Sequence, residues 1–181
     1  MNREKRFFDV IGQLDTLRRY ARSLVRNADD AEDLVHDALV RAYEGQDSFR
    51  RGGSLRKWLL SVVHNTHIDR LRRARSQTRR AEESAGIMDA SQPAAQDHAV
   101  RLRQVRDAFF DLPEEQREAL HLVAIEDLSY QEAADALGIP VGTLMSRISR
   151  ARARLRNFED QTGPGHNTHL RLIGGQDHET R

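Results

Sequence analysis

Residues 128–156, LSYQEAADALGIPVGTLMSRISRARARLR, spell a short helix, a glycine turn and a second, arginine-rich helix. The first helix opens at Ser129 with Glu132 three residues on, so hydroxyl and carboxylate can each satisfy a backbone N–H left free at the helix start. Tyr130, Ala133, Ala134 and Leu137 share its apolar face. Gly138 follows, where a left-handed backbone is easiest without a Cβ; Ile139 plugs the corner and Pro140 suits the start of the next helix. Val141, Leu144, Ile148, Ala151 and Leu155 recur at spacings of three and four, which gives the second helix one buried stripe. Its other faces are polar and basic. A helix-turn-helix would place Thr143, Met145, Ser146, Arg147, Ser149 and Arg150 against base edges in the major groove, with Arg152, Arg154 and Arg156 further along, near phosphates. Two antiparallel helices with a solvated basic face are the simpler alternative, and small Ala134, Gly138 and apolar Leu144 at matching offsets favour the DNA reader.

The rest of the chain limits what surrounds this element. It has 181 residues, room for one domain or two small ones, and its 4 prolines, 6% aromatic and 31% charged residues indicate an all-α protein rather than a sheet sandwich. The absence of cysteine excludes disulfides and thiolate metal sites. Apolar runs are too short to span a bilayer and the N-terminus MNREKRFF lacks a signal-peptide core, so a cytoplasmic protein without membrane insertion is expected.

The net charge of +1 conceals blocks of opposite sign. Residues 50–80 hold 10 basic side chains against the single acid Asp69, whereas residues 81–98 hold only acids, Glu82, Glu83, Asp89 and Asp97. Residues 128–157 are basic again. Two basic segments separated by an acidic one suggest two nucleic-acid contacts on one chain.

Helical periodicity runs through most of the sequence. Leu14, Leu17, Ala21, Leu24 and Val25 share one face, and Ala31, Leu34, Val35, Ala38, Leu39, Ala42 and Tyr43 another. Residues 45–53 read as a loop, after which Ser54 can cap a helix with the stripe Leu55, Leu59, Val62, Val63 and Thr66. From about 76 to 98 the period is lost and Pro93 intervenes, which is linker character. Leu102, Val105, Phe109 and Leu112 begin a second helical domain, in which Pro113 starts a helix with Ala119, Leu120, Val123 and Ile125. The organisation expected is two small helical domains, 1–75 and 99–158, joined by a flexible linker, 76–98, and followed by an unstructured tail, 159–181.

Three segments, YARSLVRNADDAEDLVHDALVRAY (20–43), SFRRGGSLRKWLLSVVHNTHIDRLRR (48–73) and LPEEQREALHLVAIEDLSYQEAADALGIPVGTLMSRISRARARLR (112–156), resemble in joint order an extracytoplasmic-function (ECF) sigma factor, the two-domain specificity subunit of bacterial RNA polymerase. The resemblance implies a sigma-2-like bundle over 1–75 and a sigma-4-like helix-turn-helix domain over 99–158. It implies that Asp29, Asp30, Glu32, Asp33 and Asp37 dock on the coiled coil of the polymerase β′ subunit, the alternative being a solvated acidic face. The sigma-4 unit would meet the β flap. Phe49, Gly52, Gly53 and Ser54 match the loop that receives an extruded base of the −10 element. On the following helix Asn65 would meet a base edge, and Arg56, Lys57, Arg70, Arg72 and Arg73 the phosphates of the separated strand. Trp58 reads more readily as core than as a stacking platform, and Asp69 as the partner of an arginine three or four residues away. For the −35 duplex the resemblance favours Ser146, Ser149 and Arg150 in the groove, with Thr143 and Arg147 near phosphates or, for Arg147, against neighbouring acids. Met145 stands where relatives often carry a basic residue.

His64 and His67 lie three apart with Asp69 nearby, a pair that a metal could use, but the sequence fixes no third ligand beside them. With no phosphate-cradling glycine loop and no nucleophile in register with a base, neither an enzyme nor a cofactor or metal is expected. The expected partners are core RNA polymerase, promoter DNA and an anti-sigma factor. A sigma mimic that binds an anti-sigma factor without DNA, and a stand-alone helix-turn-helix regulator, are the two alternatives. Because the linker leaves the spacing of the two DNA contacts unfixed, weak promoter binding by the free chain is expected.

Overall fold

The computed structural model describes residues 9–50, 52–81 and 97–162, which form seven α-helices and no strand among the described residues. The first unit comprises α1 (Leu14–Leu24), α2 (Ala28–Glu44) and α3 (Leu55–Ala81); the second comprises α4 (Asp97–Phe110), α5 (Glu114–Ala124), α6 (Tyr130–Leu137) and α7 (Val141–Thr162). Helix α2 starts where the Asn27 side chain accepts from the backbone N–H groups of Asp29 and Asp30. Leu17, Tyr20, Ala21 and Leu24 of α1 pack with Ala31, Leu34, Val35 and Ala38 of α2 and Leu59, Leu60 and Val63 of α3. Ala42 takes the inward position at the end of α2, so Tyr43, about 100° further round the helix, faces out at 70% exposure instead of joining the core.

In the second unit the helix-turn-helix forms as its residues dictate. The Ser129 hydroxyl accepts from Glu132 N–H at 3.3 Å while the Glu132 carboxylate accepts from Ser129 N–H at 2.9 Å, a reciprocal cap. Gly138 is left-handed at φ 64°, and Ile139 N–H closes on Ala134 C=O at 3.0 Å. Leu144, Ile148 and Ala151 of α7 are buried together with Ala119, Leu122, Ala133, Ala134 and Leu137. Four expected core positions are exposed: Leu102 and Val105 lie on the part of α4 that reaches beyond its neighbours, Ile125 sits at the C-cap of α5, and at the start of α6 buried Leu128 replaces Tyr130.

Two boundaries differ from the sequence reading. Helix α3 runs on to Ala81 and α7 to Thr162, through stretches that contain neither glycine nor proline. Of the expected linker and tail, residues 82–96 and 163–181 lie outside the described residues.

The two units pack on each other, α5 against α1 and α6 against α3. Arg117 of α5 caps α1 from the side: its Nε donates to Ser23 C=O at 2.6 Å and one terminal nitrogen to Leu24 C=O at 3.2 Å, while the other donates to Phe110 and Leu112 C=O. A cation at a helix C-terminus satisfies orphan carbonyls and complements the helix dipole. Burial lowers the Arg117 pKa, and the charges of Glu114 and Glu118 oppose that shift. The spacing of the two units is therefore set by packing and hydrogen bonds, not left to the linker. Gly138→Ala should lower stability by about 1 kcal/mol in urea unfolding, because nothing lies within 4 Å of an added Cβ and only the positive φ is strained.

Candidate nucleic-acid interface

The N-terminal half of α7 presents Met145, Ser149 and Arg150 to solvent on one face, with Thr143 and Ser146 half-buried beside them. The Ser146 hydroxyl donates to Thr143 C=O at 2.8 Å, which leaves its lone pairs outward. Arg147 reaches back to Glu115 of α5 at 3.0 Å, and Arg152 is half-buried with its Nε unpartnered. A helix that exposes the Ser149 hydroxyl and the Arg150 guanidinium in its N-terminal half can enter a major groove and donate to base edges.

The second candidate face belongs to α3 and the loop before it. Gly52 adopts φ 93°, Gly53 N–H bonds Arg50 C=O at 3.0 Å, and the Phe49 and Trp58 rings stack obliquely with centroids 5.5 Å apart. Trp58 is half-buried and packs on the core, in keeping with its structural reading. Ser54, Asn65, Arg72 and Arg73 are exposed. Asp69 pairs with Arg41 of α2 at 2.8 Å rather than with an arginine on its own helix. Arg70 bonds Asp37 at 2.6 Å and Asp33 C=O at 2.8 Å, so one candidate phosphate contact is tied to the acidic face of α2. On that face Asp29, Asp30 and Asp33 are exposed, while Glu32 pairs with Arg18 at 2.9 Å and Arg22 at 3.5 Å.

The junction between the units involves α1 and the start of α3. Glu126, in the α5–α6 connection, is fully buried and receives Arg19 from α1 at 3.2 Å, Arg56 from α3 at 2.6 Å and His121 from α5 at 3.3 Å. Burial opposes its ionisation, but hydrogen bonds from His121, Arg19 and Arg56 prevail and hold its carboxyl down at about 2. Lys57 reaches Glu132 of the helix-turn-helix at 2.9 Å; this bond, followed by those from Ser129, lowers the Glu132 pKa. Arg56 and Lys57, two candidate phosphate ligands, are thus paired with carboxylates of the second unit. Sequence spacing could not show these pairs, which join residues 70 and 75 positions apart.

The histidine pair also has its partners across the junction. His67 Nε2 lies 2.5 Å from Glu114, and His64 Nδ1 lies 3.5 Å from Glu118, both carboxylates on α5. The third ligand that the sequence leaves unspecified thus has candidates on the other unit, where Glu114 and Glu118 stand within reach of His67.

Glu126 gives the fold a defined acid sensitivity. Its carboxyl is depressed from 4.5 to about 2, so its stabilisation is complete above pH 4.5 and disappears as pH falls through about 2. Glu126→Gln should be less stable at neutral pH and should lose less stability than the parent between pH 4.5 and 2, as read from urea midpoints across that range.

Residues 12–77 match the family model described as Sigma-70 region 2, and residues 102–155 that described as Sigma-70, region 4. The chain is 39% identical over 147 residues to the ECF RNA polymerase sigma factor EcfG of Rhodopseudomonas palustris (strain TIE-1), covering 81% of each sequence. It is 38% identical over 140 residues to the ECF sigma factor SigM of Mycobacterium tuberculosis, covering 77% of this chain and 69% of that one. Among solved structures it is similar to the sigma factor RpoE in complex with the anti-sigma factor NepR from Bartonella quintana, with TM-score 0.72 and 33% identity over 86% of this chain and 96% of that one. It is also similar to CnrH in complex with the cytosolic domain of CnrY, with TM-score 0.64 and 27% identity over 90% and 92% of the two chains. With both sigma regions present in order on one helical chain, the protein belongs to the ECF sigma factors of the sigma-70 family.

Proposed function

We propose that the chain joins bacterial core RNA polymerase and directs initiation at promoters, with its first unit (1–75) engaging the −10 element and its second (99–158) the −35 element. The observation that carries this reading is the pair of basic, partly solvent-facing helices, α3 and α7, held on two separate units of one chain. Ser149 and Arg150, with Ser146 beside them, would read the −35 duplex; Thr143, Arg147 and Arg152 would lie near its backbone. Phe49, Gly52, Gly53 and Ser54 would line the base pocket, Asn65 would meet a base edge, and Arg72 and Arg73 would hold the opened strand. The exposed acids Asp29, Asp30 and Asp33 would dock on the β′ coiled coil, and the second unit on the β flap. The chemistry of RNA synthesis stays with polymerase in the cytoplasm; among the described residues no helix is long and apolar enough to cross a membrane.

The packed arrangement adds a reason for weak promoter binding by the free chain. Arg56 and Lys57 must exchange Glu126 and Glu132 for DNA phosphates, so core polymerase would act by separating the units as well as by spacing them. An anti-sigma factor, as in the RpoE–NepR and CnrH–CnrY complexes, would act in the opposite sense.

Purified chain added to core polymerase on a genomic DNA library should yield transcripts whose starts share two upstream motifs. Binding to core without such starts would favour a sigma mimic, and no binding to core would favour a stand-alone regulator. With the −35 motif known, Arg150→Ala should weaken its recognition by about 1–3 kcal/mol if the side chain reads a base edge. An equal loss on every sequence would assign it to phosphate instead.

A further inference from the structure

We propose that His67, Glu114 and Glu118 form a binding site for one divalent cation of the zinc class, bridging α3 of the first unit and α5 of the second. One ligand atom from each lies within 4.8 Å of the others, a spread that small side-chain rotations convert to a coordination shell with metal–ligand distances of about 2.0–2.2 Å. His67 and Glu118 are 4% and 3% exposed, so the site is shielded by protein, while half-buried Glu114 leaves a path from solvent.

The second observation concerns hydrogen bonding. Glu118 Oε1 and, facing it at 3.5 Å, His64 Nδ1 are both buried without a hydrogen-bond partner. The hydroxyl of Tyr20, whose pKa is raised by burial and then by the charges of Glu118 and Glu114, is likewise unpartnered. Buried polar atoms are rarely left this way, and two adjacent carboxylates concentrate negative charge that a dication would balance. The contact that His67 makes reaches Glu114 alone. A cation serves both carboxylates, with His64 positioned to orient Glu118 from behind. Imidazole among the donors favours zinc, nickel or cobalt over magnesium or calcium.

Because the ligands come from both units, the ion would hold them together and keep Arg56 and Lys57 paired; that consequence, unlike the site itself, rests on the proposed function. Zn²⁺ titrated calorimetrically into the chelator-treated full-length chain should bind one per chain. His67→Ala and Glu118→Gln should each weaken binding by at least about tenfold, with helical circular dichroism confirming that they fold. Co²⁺ bound to the parent should give a tetrahedral ligand-field spectrum, a readout that does not depend on any variant. Replacing the tail residues His166, His169 and His178 together by Gln should leave both results unchanged. Absence of one-to-one binding, an octahedral Co²⁺ spectrum, or binding that survives His67→Ala and disappears with the tail histidines would overturn the site. None of these readouts depends on transcription, so failure of the site and failure of the sigma reading are separable.

Discussion

A single buried carboxylate organises the junction on which the arrangement of this chain depends. Glu126 leaves α5 pointing into the seam between the units and is met there by Arg19 of α1, Arg56 of α3 and His121 of α5. A lone charge in that position would be expensive, and breaking one partner away from a buried pair commonly costs several kcal/mol. Three donors from three helices convert that cost into a geometric requirement: the carboxylate is tolerated only when α1, α3 and α5 meet. Arg117, one turn before His121 on α5, adds to the constraint by capping α1 through the carbonyls of Ser23 and Leu24.

One of the three donors to Glu126, Arg56, is also a proposed phosphate ligand, as is its neighbour Lys57. Arg56 and Lys57 are suited to phosphates because they are cations on an accessible helix, and for the same reason they pair with Glu126 and Glu132 when no DNA is present. Glu132 serves twice, since it also completes the cap that starts the first helix of the helix-turn-helix. Under the proposed function, closure of the two units and binding to the opened promoter strand would be competing uses of one set of charges. The exposed face of α7 stands apart from this competition, with Ser149 and Arg150 free of the junction.

Local structure was legible in the sequence because local rules determine it. The cap at Ser129, the left-handed turn at Gly138 and the stripe Leu144–Ile148–Ala151 follow from spacing alone, and the helical class follows from repeats of the same kind. Errors arose where a helix outruns its partners or presents an apolar residue just off the buried stripe, as at Tyr43, Leu102, Val105 and Ile125. Periodicity identifies a face but not the extent of the surface covering it. Residues 76–81 look like linker by composition, yet they continue α3, with no glycine or proline among them to interrupt it. What spacing could not reveal was pairing across long separations. Arg56 to Glu126, Lys57 to Glu132, His67 to Glu114 and Arg117 to Ser23 join residues 47 to 94 positions apart, and each depends on how two helical units dock. The charge blocks in the sequence indicated that opposite surfaces existed, without showing that they belonged to each other.

The most direct test of this account is the distance between the units, free and on polymerase. The sequence has no cysteine, so Val40→Cys on α2 and Asp135→Cys on α6, both at exposed positions, can carry a spin-label pair without background. Pulsed electron spin resonance should give one narrow distance for the free chain, replaced by a distinctly longer one when core RNA polymerase is added. A broad distribution in the free chain, or a distance that polymerase leaves unchanged, would contradict a closed junction that must open for promoter binding.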